Sequence, residues 1–284
     1  MLTEKQKEII NFDYQKIPLY GKPFTDKVIP VTEELVDPEL MAIWKPSDKK
    51  ILGVMPQGQY ILGHLEAHQR VEDAIKKAGL DAHVSQHRVL RNGARVFTHY
   101  RLPTYKLDIE NPQIGTADSK EPDTMIPEII ARNGYDGQIV FGLEWGLFRT
   151  LCSNGARALV IGKRSTPKNL MGDVDVDVIV GDITEFLQML QKEIFARIQA
   201  MVTNKAENLP VDMRVWFSQQ VSDKLLAVYD SKVNEALAQW KAISEWTLFN
   251  IFTNIITHHI TSYNRQRHLE QVVAKKFKFG ATAR

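Results

Sequence analysis

The chain has 284 residues, of which 44% are hydrophobic and 25% are charged, and its formal net charge is +2. This composition is typical of a globular protein and excludes a disordered chain. A single cysteine, Cys152, excludes an internal disulfide, and no apolar run is long enough to cross a bilayer. We therefore expect a cytoplasmic protein that makes no use of a membrane.

The first 50 residues contain few periodic segments and are interrupted by prolines, at positions 18, 23, 30, 38 and 46. Proline lacks a backbone donor and limits helix continuation. The sequence therefore predicts a short N-terminal helix followed by an extended arm over residues 1–50.

Residues 51–102 have the pattern of a compact unit of four strands and one helix. Its predicted elements are strands at 51–55, 59–62, 83–90 and 94–102, and a helix at 64–78. Gly79 is a common type of residue after a helix end. Asn92-Gly93 predicts a tight hairpin between the last two strands.

The strand at 94–102 has one face that combines positive charge with an aromatic ring. This face carries Arg95, Phe97, His99 and Arg101, and the other carries Val96, Thr98, Tyr100 and Leu102. One interpretation is a platform for a single nucleic-acid strand, with Phe97 or Tyr100 stacking on a base. The simpler interpretation, which we favour, is a solvated outer face.

Residues 126–161 predict a β-meander at the centre of a sheet, preceded by a long polar surface loop at 103–125. Three strands, at 126–132, 138–151 and 156–161, are separated by the turn pairs Asn133-Gly134, Asp136-Gly137 and Asn154-Gly155. Along the long strand, apolar residues alternate with Gly142, Glu144 and Gly146, which predicts burial on one side only.

A basic loop follows the meander, with Lys163, Arg164 and Lys168 between residues 162 and 169. The full G-x-x-x-x-G-K-[ST] pattern is absent, so we exclude a nucleotide-binding P-loop. Non-specific phosphate contact by this loop stays open.

Strict alternation marks residues 173–180, DVDVDVIV, and predicts a strand with its valines inside. Asp173, Asp175 and Asp177 would then face outward. These carboxylates are either a cluster for a divalent cation or charges that discourage edge pairing. We favour the second, because carboxylates in a straight strand cannot surround an ion unaided.

The C-terminal third is predicted to be helical. Asp182 with Glu185 resembles a capping box, and a long helical stretch is expected from about 231 to about 276. Its middle, SEWTLFNIFTNIITHHI, is apolar nearly all round and is expected to be buried, either within the protein or in an oligomer interface. The fold class is therefore α+β, an antiparallel β-meander sheet packed against long C-terminal helices, in regions 1–50, 51–182 and 183–284.

The sequence offers little catalytic chemistry. His64 with His68 and His83 with His87 have the i, i+4 spacing of metal ligands, but neither forms an H-E-x-x-H motif. No histidine or acid is fixed beside Cys152. We therefore expect a protein that is not an enzyme, with no catalytic residue, no metal and no cofactor.

Three stretches together resemble a known family. They are GVMPQGQYILGHLEAHQRVEDAI with RNGARVFTHYRLP, then NGYDGQIVFGLEWGLFRTLCSNGARAL, then WTLFNIFTNIITHH before a basic helix. In this order they are similar to the phage/plasmid-like proteins grouped as domain of unknown function 932, over roughly residues 50–270. The resemblance implies a bacterial or phage cytoplasmic setting among mobile genetic elements, and it supplies no catalytic residue. In architecture alone, the chain also resembles phage single-strand annealing proteins, which form rings or filaments on single-stranded DNA.

The leading hypothesis is a single-stranded-DNA-binding, strand-annealing recombination protein that forms a homo-oligomer. Its candidate DNA-binding residues are Arg95, Phe97, Arg101, Arg149, Arg157, Lys163, Arg164 and Lys168. The alternative is a structural or interaction protein that assembles through its C-terminal helices without binding DNA. A third hypothesis, a metal-dependent nuclease, would use the aspartates of residues 173–177.

Overall fold

The computed structural model describes residues 1–20, 36–110, 122–137, 139, 141–149, 157–158, 175–205 and 208–279, with the backbone alone at 18–20, 36–39, 149, 157–158 and 263–264. Its strands are β1 Gln15–Tyr20, β2 Val36–Lys45, β3 Lys50–Pro56, β4 His83–Leu90, β5 Arg95–Arg101, β6 Leu107–Ile109, β7 Asp123–Gly134, β8 Gly142–Arg149 and β9 Arg157–Ala158. Its helices are α1 Glu4–Ile10, α2 His64–Lys77, α3 Val176–Met189, α4 Phe195–Thr203, α5 Leu209–Ser218, α6 Asp223–Gln239, α7 Glu245–His259 and α8 Tyr263–Lys276. The predicted α+β class is confirmed.

The described strands form two sheets. In the first, β1 and β3 flank β2 in antiparallel pairing, so the strands at 15–20 and 36–45 belong to a sheet and not to an extended arm. The second has the order β4-β5-β7-β8-β9, with β6 also paired to β7. The predicted meander is thus confirmed as β7, β8 and β9, whereas residues 59–62, predicted as a strand, form a loop.

The predicted surface loop at 103–125 contains regular structure at both of its ends. Leu107 pairs with Met125 and Ile109 with Asp123, so β6 and the start of β7 form an antiparallel ladder. This pairing satisfies backbone groups that a loop would leave to water. Residues 111–121, between these ends, lie outside the described part of the chain.

The chain divides into two compact units. The first comprises Met1–Tyr100, Ile129–Glu144 and Arg164–Ile183, and the second comprises Arg101–Glu128, Trp145–Lys163 and Thr184–Arg284. These units interleave along the chain, whereas the sequence predicted three consecutive regions.

In the first unit, α2 follows the predicted range to within one residue, and Gly79 adopts a positive φ of 66° just after it. The predicted β4–β5 hairpin is also present, with Asn92 and Gly93 at φ of 58° and 98°. A Cβ on Gly93 would lie 3.1 Å from the Phe12 ring, so the turn needs glycine for space as well as for conformation. Leu2, Ile10 and Val96 form part of the core.

In the second unit, α7 is buried as its apolar sequence predicts. Phe252 contacts the rings of Phe217 and Tyr229, and Phe249 contacts Phe277, so the covering side chains come from α5, α6 and the end of α8. The predicted continuous helix is instead α6, α7 and α8. The break before α7 is capped by a serine, because the Ser244 hydroxyl accepts from the Thr247 N–H at 3.1 Å. Ser262, at the start of α8, makes no capping hydrogen bond through its side chain.

The stretch DVDVDVIV was wrongly predicted as a strand, because α3 begins at Val176 and residues 173–174 lie outside the described part of the chain. The Asp175 side chain accepts from the Asp177 N–H at 2.8 Å, and the Asp175 carbonyl accepts from the Ile179 N–H at 3.3 Å. Acidic groups favour a helix N-terminus. Ile179 and Ile183, four residues apart, form part of the buried face of α3. Because α3 already begins at Val176, the prediction that the helix starts at Asp182 is wrong too.

Among the described helices, none has both the length and the apolar character that a membrane span requires.

Candidate nucleic-acid interface

The charged face of β5 is not solvated, so the interpretation that we favoured is wrong. Arg95 is 4% exposed, Phe97 is 0% exposed and His99 is 1% exposed. Tyr100, on the opposite face, is 0% exposed as well. β5 lies between β4 and β7, and both of its faces are covered, which a period-two pattern cannot reveal. Neither Phe97 nor Tyr100 presents a ring for base stacking in this structure.

Arg95 is held within the first unit by an ion pair. Its Nε donates to Asp136, and the exposed Arg91 contacts the same carboxylate at 3.3 Å. Asp136 belongs to the turn after β7, so this pair ties the β4–β5 end of the hairpin to that turn. A buried guanidinium that is paired with a carboxylate stabilises the fold and is not accessible to a ligand such as DNA.

Arg101 stands in a different environment, in the second unit. Its Nε donates to Glu128 Oε1 at 2.8 Å, and its guanidinium carbon lies 3.2 Å from the centre of the Phe148 ring. The Glu128 side chain is fully buried, while 21% of the Arg101 side chain is exposed. Arginine over an aromatic face is attracted by about 0.5–2 kcal/mol, depending on desolvation.

Two more of the predicted DNA-binding arginines have backbone positions next to Phe148. Arg149 is the next residue on β8, and the β8–β9 pairing sets Phe148 directly opposite Arg157. Together with Arg101, these residues form what we call the arginine-rich sheet end, defined as Arg101, Phe148, Arg149 and Arg157. The structure thus brings three of the predicted residues together. Lys163, Arg164 and Lys168 lie outside the described residues.

A further buried ion pair lies in the first unit. Arg132 Nε is 3.3 Å from Glu144 Oε1, and both side chains are at most 7% exposed. The sequence predicted that Glu144 would face solvent, which is wrong. Removing two charges from water costs several kcal/mol per ion before pairing, so the presence of this pair is not by itself evidence of a large gain in stability.

The four histidines with metal-ligand spacing differ in their surroundings: His64 and His68 on α2 are buried, His87 on β4 is half-buried and His83 is exposed. His64 is fully bonded: its Nε2 lies 2.7 Å from the Gly93 carbonyl, its Nδ1 lies 3.0 Å from Asn133 Nδ2, and its ring stacks on Tyr135. A donor Nε2 and an acceptor Nδ1 fit this arrangement, so His64 is neutral. Burial lowers the pKa of His64 to about 4.

His68, one helical turn further along α2, is fully buried, and neither of its ring nitrogens has a hydrogen-bond partner in the described structure. The His87 ring lies 6.1 Å from the His68 ring, and His87 Nδ1 bonds the Thr98 hydroxyl at 2.9 Å. Burial lowers the pKa of both imidazoles. Within the described residues, no three His, Cys, Asp or Glu side chains are placed to hold a metal ion. Cys152 lies outside those residues.

Comparison with known proteins matches part of the chain to a family. The model of the family described as Domain of unknown function (DUF932) matches residues 60–166, less than half of the chain. The match includes α2 and the whole arginine-rich sheet end. Searches of curated proteins and of solved structures give no significant match. Residues 60–166 are therefore similar to a family whose description assigns no activity, and no residue receives a role from it.

Proposed function

We propose that the protein binds single-stranded DNA and anneals complementary strands, as a recombination protein of a phage or plasmid acting in the cytoplasm of a bacterial host. The observation that carries the proposal is the arginine-rich sheet end, where Arg101 contacts the Phe148 ring and the strand pairing places the backbones of Arg149 and Arg157 beside Phe148. The phage or plasmid setting rests on the resemblance described in the sequence analysis, and the match of residues 60–166 to Domain of unknown function (DUF932) agrees with the family named there.

The distribution of charge supports the same proposal. Residues 149–168 hold Arg149, Arg157, Lys163, Arg164 and Lys168 and contain no Asp or Glu, although the whole chain has a net charge of only +2. Local clustering of this kind creates a positive potential that net charge conceals. If all five side chains contact phosphates, counterion release predicts an affinity loss of about 100-fold between 50 and 200 mM salt.

The alternative of a non-DNA-binding interaction protein loses one of its supports. The very apolar helix α7 was an argument for a partner, but Trp246, Phe252 and Ile256 on it are fully buried by the chain itself. The nuclease hypothesis loses its geometry, because Asp175 and Asp177 start a helix and do not line a strand.

Paired substitutions test the proposal. We expect Arg149→Ala with Arg157→Ala, and Arg164→Ala with Lys168→Ala, each to weaken binding to an oligothymidylate and to reduce its salt slope by about 1.4. The matched control is Arg70→Ala with Lys76→Ala on α2, which removes the same charge elsewhere. Equal binding by all three double variants contradicts the proposed site, and failure of the wild type to accelerate annealing contradicts the annealing activity.

The proposal includes assembly into a ring or filament of identical subunits. Light scattering with and without an oligonucleotide measures the oligomeric state. A protein that is a monomer at all concentrations under both conditions contradicts the proposed assembly.

A further inference from the structure

Helix α8 and the turn after it form a second basic region, in the second unit. Its exposed cationic or titratable side chains are Arg265, His268, Lys275, Lys276 and Lys278. From residue 258 to residue 279 the sequence contains a single acidic residue, Glu270. None of the lysines in this region forms an ion pair within the described part of the chain, so their charge is available to a ligand.

The helical repeat places several of these side chains on one flank of α8. At 100° per residue, Arg265 and Lys276 are separated by three full turns and lie 20° apart, with His268 and Lys275 within about 100° of both. Arg265 Nη2 donates to the Gln220 carbonyl at 2.8 Å, which fixes this flank against the end of α5. The basic flank of α8 therefore lies beside the end of α5.

The end of α5 presents an aromatic ring to this flank, that of Trp216. Trp216, near the end of α5, is only half-buried, and Lys276 Nζ lies 5.5 Å from the centre of its ring. The inner edge of Trp216 packs against Phe252, with ring centres 5.6 Å apart at 89°. One side of the indole thus packs on the core, while the rest borders the Lys276 ammonium group and solvent.

We propose that Trp216 and the basic flank of α8 form a second contact for single-stranded DNA, in which a base stacks on Trp216 and phosphates bind Lys275, Lys276 and Arg265. A partly exposed indole that packs on the core and lies beside cations combines the two features of sequence-tolerant strand binding, an aromatic stacking surface and positive charge. Asp212 lies one helical turn before Trp216 on α5 and opposes an anion there. The inference uses the ligand of the proposed function but assigns it a separate surface.

Two sets of variants test the surface, with binding to an oligothymidylate and to a duplex of the same length as readouts. Trp216→Leu is expected to weaken single-strand binding at least 5-fold, the lower bound of base stacking, and to change duplex binding much less. Trp216→Phe keeps a stacking face and is expected to stay within about 2-fold of wild type. Asp212→Asn is expected to tighten binding.

Lys275→Ala with Lys276→Ala keeps the test independent of folding, because both side chains are exposed. This variant is expected to reduce the salt slope by about 1.4, whereas Lys192→Ala with Lys241→Ala, which removes two other exposed lysines, is expected to weaken binding less. If wild type binds and the Trp216 and Lys275/Lys276 variants bind equally well, this surface is refuted and the proposed function stands. Equal losses for single strand and duplex refute the stacking contact. Absence of wild-type binding at low salt refutes the proposed function itself.

Discussion

The guanidinium group of Arg101 lies 3.2 Å from the centre of the Phe148 ring while its Nε donates to the buried carboxylate of Glu128 at 2.8 Å. One side chain thus links three adjacent strands, β5, β7 and β8, in the second unit. Its guanidinium group pairs with a carboxylate whose side chain is fully buried.

Replacing Arg101 by Ala is expected to lower the free energy of unfolding by about 3 kcal/mol, because the buried Glu128 carboxylate then loses the guanidinium group that pairs with it. This value is the lower end of the range for broken buried pairs, since 21% of the Arg101 side chain is exposed. Glu128→Gln keeps the shape and the acceptor and is expected to cost less. Urea unfolding of both variants and of the double variant measures the coupling energy between Arg101 and Glu128. A change in the free energy of unfolding below 0.5 kcal/mol in Arg101→Ala contradicts a stabilising role for this pair.

Acid is expected to destabilise the first unit before its carboxylates titrate. Burial lowers the folded-state pKa of His64 to about 4, and it also lowers the pKa values of His68 and His87. The unfolded chain, with imidazole pKa values of about 6.5, therefore takes up protons first as the pH falls. Stability is full above pH of about 6.5 and declines below it, by roughly 2 kcal/mol at pH 5 for His64 alone.

Urea unfolding at pH 7.5 and at pH 5 checks this expectation. His64→Gln removes one titrating group, so the difference between the two pH values is expected to shrink by about the amount due to His64. A wild-type protein equally stable at both pH values contradicts the buried, neutral state of these imidazoles.

His68→Leu is expected to raise the free energy of unfolding at pH 7.5 by about 1 kcal/mol. The substitution removes two buried nitrogens that have no partner in the described structure, and such orphans cost about 1–3 kcal/mol. Leucine has a similar volume and needs no hydrogen bond. Thermal unfolding measures the effect, and a loss of more than 1 kcal/mol indicates that the His68 ring is satisfied by a bound group.

Asp175→Ala is expected to destabilise the protein by about 1 kcal/mol, the usual value of a helix cap. Its Oδ1 accepts from the Asp177 N–H at 2.8 Å, so the alanine variant leaves that donor to water. Asp175→Asn keeps an acceptor and is the control, expected to lose only a few tenths. Equal stability of the alanine variant and the wild type contradicts the cap at the start of α3.

Local signals in the sequence were sufficient for the elements whose structure depends on near neighbours. The helix at 64–77, the Asn92-Gly93 turn and the three strands of the meander follow from spacing and turn chemistry. The stretch DVDVDVIV shows the limit, because its alternation favours a strand while Ile179 and Ile183 continue a helical face that tertiary packing selects.

The candidate site was only partly predictable for a related reason. Strand pairing decides which arginines meet, and no sequence pattern states that β7 separates β5 from β8. The residue type alone marks Arg101, Arg149 and Arg157 as candidate phosphate contacts. It does not reveal that Arg101 pairs with Glu128 and lies over Phe148. The i, i+4 spacing of His64 and His68 marked a real buried face of α2, although the His64 nitrogens bond Gly93 and Asn133. Trp216 and Lys276 are far apart in the sequence, and only the fold brings them into contact.

The most direct measurement is fluorescence anisotropy of a labelled oligothymidylate titrated with folded wild-type protein at 50 and 200 mM salt. Tight binding at 50 mM that weakens by one to two orders of magnitude at 200 mM is the predicted result, since it requires several lysine and arginine contacts to phosphate. No binding at 50 mM, or binding that salt leaves unchanged, contradicts the proposal that this protein holds single-stranded DNA.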